Sequence, residues 1–381
     1  MSSITKSKSH VSSLMSAINP LANPRGAKKQ CELCQNPAYL QCNRPTVIDL
    51  RMTCQAYSDT EHQQADWVGI HEKVCQLLIP IRTATLFHSL QADRDHHCAQ
   101  ILHRQEELIE ISRAVAQKKL FEGKYQESLP AAQLSLRCAM DVYGSSAVQL
   151  VPAYLLLAEA NVGLGSLAQA EEYLSQAEWT VMKTPECSQT VRHQLHRNLG
   201  RLYTATENLE GALLHFANDV YYASEEYGLD NIVTCGGYFL MANVFIKQEK
   251  MDIVSSLYTE VASTWHSHLT KLLETHTQGS MTLEHSFDEA QQAEADQMLR
   301  AMLKVQESSP KQAAAQNALV AHSLAMLWFL GGSPDKDLVG LDATGLILQL
   351  PSPGFRPGPL LSDLASMLGL SGGFWVCYPG M

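Results

Sequence analysis

Residues 155–177 read LLLAEANVGLGSLAQAEEYLSQA, and residues 197–219 read RNLGRLYTATENLEGALLHFAND. Each has an apolar periodic segment, a short break and a second periodic segment, the pattern of helix, turn, helix. At an offset of 42 residues Ala158 falls on Gly200, Gly165 on Glu207, Leu167 on Leu209 and Ala170 on Ala212. The same offset reaches back to Ala116, Gly123, Tyr125 and Ser128, and forward to Ala242, Glu249, Met251 and Val254. Four copies of small residue, turn, apolar residue and small residue thus stand in register. Small side chains at two fixed positions let antiparallel helices approach closely, where larger ones would hold them apart. The fold class expected is mainly α, a helical solenoid.

The rest of the chain narrows what such an array does. It has 381 residues, 45% hydrophobic and 18% charged, which suits a folded protein. Its net charge of -11 argues against nucleic acid as the main ligand, because phosphate binding needs a basic surface. The longest apolar run, 319–330, carries His322 and is too short for a membrane span. The expected location is cytoplasmic. Residues 1–30 hold Lys6, Lys8, Arg25, Lys28 and Lys29 with no acid, and read as a basic disordered arm; the alternative is a mitochondrial presequence. Residues 331–381 are rich in Gly and Pro and cannot continue a helical array, so they read as a disordered tail.

Ten cysteines occur, and Cys31, Cys34, Cys42, Cys54 and Cys75 crowd into one short segment. With no sign of secretion, such a cluster points to metal rather than disulfides. Cys31-x2-Cys34 offers two thiolates from one tight turn, and His71-x3-Cys75 sets two donors one helical turn apart. His62 lies between them, and Trp67 suits a short helix packed on a metal core. No nucleophile–base pair, P-loop or dinucleotide fingerprint is present, so no catalytic activity is expected.

The array resembles the tetratricopeptide repeat, whose usual unit is 34 residues. The longer unit here looks like the variety in kinesin light chain. The resemblance covers about 109–270. It departs where an aromatic or Leu is expected and Lys119 and Asn161 stand, and those copies are expected to pack less regularly. It implies a further helix near Ala321, beginning an incomplete fifth repeat. It also implies a concave groove lined by Arg113, Gln117, Arg197, Arg201 and Asn243, suited to an acidic or C-terminal peptide segment. The alternative is an ordinary solvated helix face.

The cysteine segment, with QQADWVGIH before its final ligand pair, resembles the MYND zinc finger. That family holds two zinc ions in a cross-brace of eight ligands. The resemblance assigns Cys31, Cys34, Cys54 and His62 to the first site, and Cys42, His71 and Cys75 to the second. Pro45 stands where the family has a fourth ligand of the second site, and the Cys54–His62 spacing also departs from its pattern. One zinc is therefore expected, with the second site short of a donor. The organisation expected is finger over 31–78, helical linker over 79–108, four repeats over 109–270, further helices over 271–330, then the tail.

A MYND finger joined to such an array resembles a family associated with motile cilia and sperm flagella. That resemblance implies a non-enzymatic scaffold in the axoneme, binding tetratricopeptide repeat protein 29 and dynein-linked components. Two further readings are a corepressor-type adaptor binding proline-rich peptides and a SET-and-MYND lysine methyltransferase. The second would need an Asn-His motif, and no such dipeptide occurs.

Overall fold

A computed structural model describes residues 30–34, 36–42, 55–82, 90–277, 288–306 and 314–331. The basic arm at 1–29, Cys54 and the tail beyond Gly331 lie outside the described residues. A short antiparallel ladder pairs β1 (Leu40–Gln41) with β2 (Ala56–Tyr57). Next come α1 (Thr60–Asp66), one turn of π-helix (Trp67–His71) and α2 (Glu72–Arg82).

The remainder is helical hairpins: α3 (Gln91–Phe121) with α4 (Tyr125–Tyr143), α5 (Val151–Gly163) with α6 (Leu167–Met182), α7 (Gln189–Ala205) with α8 (Leu209–Tyr227), and α9 (Ile232–Lys247) with α10 (Met251–Thr277). Then follow α11 (Glu289–Gln306) and α12 (Ala314–Leu330). The stretch expected as a linker over 79–108 belongs mostly to α3, which runs without a break into the first hairpin.

The 42-residue period is visible in the backbone of each tight turn. Gly123, Gly165, Glu207 and Glu249 all take φ between 59° and 75°. In each turn the following N–H reaches back five residues, as in Lys124 to Lys119 O at 2.9 Å and Asn208 to Tyr203 O at 2.9 Å. This is the Schellman ending, which needs a left-handed residue. Glycine fills it in the first two copies, whereas Glu207 and Glu249 adopt it against the Cβ penalty. The copies carrying Lys119 and Asn161 have the same turn as the others. Lys119 ion-pairs with Glu127 at 2.7 Å, and Asn161 donates to Leu157 O at 2.7 Å.

The periodic small residues sit where paired helices cross. Ala116, Ala158 and Ala242 are fully buried, as are Ser128, Ala170 and Ala212. At Gly200 a Cβ would lie 2.5 Å from the Phe216 ring, so only glycine permits that approach. Side chains cap several helix starts, including Asn208 accepting from Gly211 N at 3.0 Å and Asn231 from Val233 N at 2.9 Å.

One hydrophobic core runs from Cys31, Tyr57, Ile70, Val74 and Leu78 without interruption into α3–α7. A second joins α9–α12 around Trp265, Leu299 and Trp328. The N-terminal module therefore shares its core with the first hairpins. In the crossing at Gly69 a Cβ would come within 2.8 Å of Pro130 on α4.

Beyond the hairpins, α12 packs on α10 and α11, while α11 turns back across the array to α3. The α11 stripe Ala295, Met298, Leu299 and Met302 is buried at helical spacing. Among the described residues no helix is long and apolar enough to cross a membrane.

Candidate metal centre and inner groove

Turns, ladder and helix bring the thiols and imidazoles together. Cys31 N–H donates to Asn36 O at 2.7 Å, closing the Cys31–Cys34 turn, and Glu32 N–H donates to Ala56 O at 3.0 Å, tying that turn to β2. Cys42 follows β1, with its N–H on Gln55 O at 3.0 Å. Asp59 is the N-cap of α1, accepting from His62 N at 2.7 Å. His71 and Cys75 stand one turn apart where the π-turn passes into α2.

Two groups result: Cys31, Cys34 and His62, and Cys42, His71 and Cys75. Within each, donor atoms lie within 4.8 Å of one another. Tetrahedral zinc at about 2.3 Å from sulfur sets donors about 3.8 Å apart, so both groups are on the required scale. Thiolate with imidazole is also the donor chemistry of zinc. Cys54, the remaining residue assigned to the first site, lies outside the described residues.

Each histidine has a carboxylate beside its ring, in hydrogen-bond contact at His62 and at longer range at His71. His62 Nδ1 is 2.7 Å from Asp59 Oδ2 and 2.8 Å from Ser58 Oγ, which leaves Nε2 as its ligand nitrogen. His71 Nε2 faces Cys42 Sγ at 3.2 Å, and its Nδ1 lies 3.6 Å from Asp66 Oδ2. Asp66 in turn accepts from Tyr57 OH at 2.7 Å. Carboxylate-backed imidazole is the usual outer arrangement around a metal-ligating histidine. Burial and the Asp66 carboxylate push the Tyr57 hydroxyl upward, so it stays a donor. Burial opposes ionisation of Cys34, but hydrogen bonds from Ser58, Asn36 and Cys31 outweigh it and hold the thiol below its ordinary range.

A buried ion pair clamps this module to the array. Glu32, inside the Cys31–Cys34 turn, meets Arg137 of α4, with both side chains under 5% exposed. Burial works against the guanidinium charge, yet Glu32 and, more distantly, Asp66 hold the Arg137 pKa above its ordinary value.

Arg113, Gln117, Arg197, Arg201 and Asn243 all lie on the inner helices α3, α7 and α9. They line two adjoining cavities of about 350 and 340 Å³. Arg197 and Arg201 are already engaged, Arg197 Nε with Asp219 at 2.8 Å and Arg201 Nη1 with Glu159 at 2.7 Å. Glu159 and Arg201 occupy equivalent positions of successive copies. His193 also reaches Asp219, at 3.1 Å, and burial depresses its pKa.

From across the groove, α11 supplies Glu294 to the wall of both cavities. Burial raises the Glu294 pKa, while Arg197 and Arg201 pull it down. Asp219, Glu159, Glu294 and the clamp pair Glu32–Arg137 are absent from the sequence-derived site. Asp59 is absent from it too, but as an acid three positions before His62 at the start of a helix it carries a local signal, that of an N-cap.

No family model matches the chain. Among solved structures the chain is similar to the crystal structure of BtubC (BKLC) from P. vanneervenii, at 14% identity. The match covers 66% of this chain and 96% of that one with a TM-score of 0.31, which is too slight to place the fold or the function.

Proposed function

We propose that the protein is a non-enzymatic scaffold that binds protein partners in the groove of a tetratricopeptide-type array, with a zinc-bearing MYND-type module as its N-terminal cap. The observation that carries this reading is the groove. Five polar or basic side chains predicted from the repeat pattern line one inner surface, beside cavities large enough to admit side chains of a bound segment. Stacked repeats characteristically use such a surface for binding.

For zinc, the support is two Cys/His triads with a carboxylate beside each imidazole. Zinc would be held by Cys31, Cys34 and His62, with Cys54 assigned by the family pattern, and by Cys42, His71 and Cys75. Its role there is structural: binding free energy of a metal absent from the unfolded chain becomes folding free energy.

By family resemblance the partners are axonemal repeat and dynein-linked proteins of motile cilia or flagella. Fluorescence localisation in ciliated cells tests this. Axonemal signal supports it, and a nuclear signal alone would favour the corepressor-type adaptor. The groove itself is tested by Arg201→Glu with Arg113→Glu. Partner capture from ciliary extract should fall while metal content stays constant, and undiminished capture would place binding elsewhere.

A further inference from the structure

The inner groove is crossed by one of the protein's own helices. α11 packs on α3 at one end of the array and on α12 at the other. Its N-terminal end is held at the surface, where Glu289 meets Lys118 at 2.8 Å and Lys73 at 3.8 Å. These groups are substantially exposed, and exposed pairs hold weakly. Further along, α12 holds it, with Trp328 Nε1 donating to Asp296 at 2.8 Å and the Arg300 guanidinium 5.1 Å from the Trp328 ring.

The stripe Ala295, Met298, Leu299 and Met302 is buried, but on the side carrying Gln291 and Glu294 α11 leaves the groove unfilled. The two cavities lie between it and the inner helices, whereas a well-seated helix packs at interior density. The charge balance is also uneven. Asp219 and Glu159 already neutralise Arg197 and Arg201, so Glu294 is a third carboxylate against two guanidiniums. Burial raises its pKa, Arg197 and Arg201 oppose that, and the neighbouring Glu159 and Asp219 carboxylates add to the rise. With α11 lifted away, Asp288, Glu289 and Glu294 leave together. The exposed surface then carries Lys118 and Lys247, with Arg113 paired to Glu110 of its own helix, beside two further neutralised pairs.

We infer that α11 is a displaceable occupant of the groove, and that the external ligand is an acidic helical segment of a partner protein that takes its place. This rests on the groove being the binding surface. The ligand shares α11's chemistry: carboxylates along its first turns facing the basic rim, then an apolar stripe. α11 thereby sets an affinity threshold, because any ligand must outcompete a tethered helix.

The test uses the full chain and a fluorescent peptide of residues 288–306. Glu289→Lys with Glu294→Lys weakens α11 in place. Loss of its ion pairs should raise affinity for the wild-type peptide by about tenfold over the unmodified chain. A peptide bearing both reversals should not bind. In the unmodified chain, α11 amides should exchange with deuterium faster than those of α7, and excess wild-type peptide should speed them further.

Equal peptide affinity for both chains, or α11 exchange as slow as that of α7, overturns the displaceable helix. Should the doubly reversed chain fail to fold, the exchange comparison in the unmodified chain decides alone. If peptide binds while α11 protection is unchanged, the groove reading survives and this inference fails. If α11 exchanges fast in the reversed chain and the peptide still does not bind, the groove itself is not the site.

Discussion

Removing either partner of the Glu32–Arg137 pair strands the other charge in the interior. Both side chains are under 5% exposed, and the pair lies between the Cys31–Cys34 turn and α4. Breaking such a pair costs about 3–5 kcal/mol. At roughly 2–4 °C per kcal/mol for a domain of this size, the unfolding midpoint should drop by about 6–20 °C. Glu32→Met leaves a guanidinium that still feels Asp66, whereas Arg137→Met removes the cation that both carboxylates feel. Arg137→Met should therefore be the more damaging. The double variant leaves no buried charge and should recover most of the loss, since paired ions can be replaced by apolar side chains at little cost. Urea unfolding followed by circular dichroism, run on all four proteins, gives the coupling directly. Single losses below about 1 kcal/mol, or losses that simply add, would refute the clamp.

Metal analysis of the full chain should find about one zinc, and Cys31→Ser should remove most of it, with Cys75→Ser, in the three-donor cluster, having the smaller effect; zinc content unaltered by both substitutions defeats the assignment. At the turns, Glu207→Gly should stabilise by about 0.5–1 kcal/mol and Gly165→Ala should destabilise by about 1 kcal/mol, both read by urea midpoint. Burial, with His215 and His266 as neighbours, holds His196 and His322 down at about 4. The folded chain then binds fewer protons than the unfolded one, so this stabilisation is complete above about pH 6.5 and lost as pH falls toward 4. The melting temperature should fall between pH 7 and pH 5, and His322→Asn should flatten the slope. Finally, Gly200→Ala should cost about 1–3 kcal/mol, because its Cβ meets Phe216; a neutral result would mean the two helices move apart freely.

The parts of the fold readable beforehand are those where one residue type solves a local problem. Gly123 and Gly165 announce left-handed turns, and the small residues seven positions earlier announce a close crossing. Glu207 and Glu249 carry no such signal alone and become legible only through the period. Ligand spacing within the Cys31–Cys34 and His71–Cys75 pairs was equally local. What could not be read was long range. Nothing in the composition of α4 marks Arg137 as the counter-ion of a residue 105 positions earlier. Nor does the amphipathic stripe of α11 say which surface it covers, because apolar spacing specifies that a face is buried and not against what.

Lys118 and Glu289 are 171 positions apart, in a stack where hairpin contacts otherwise join near neighbours. A nascent chain can wind each hairpin as it emerges, but this pair must wait until α11 has been synthesised. At about 5–20 residues per second that delay is roughly 10–30 s. Through that interval the groove stands uncovered at the ribosome. A partner present during translation meets it without competition, whereas one arriving later must lift a helix to enter.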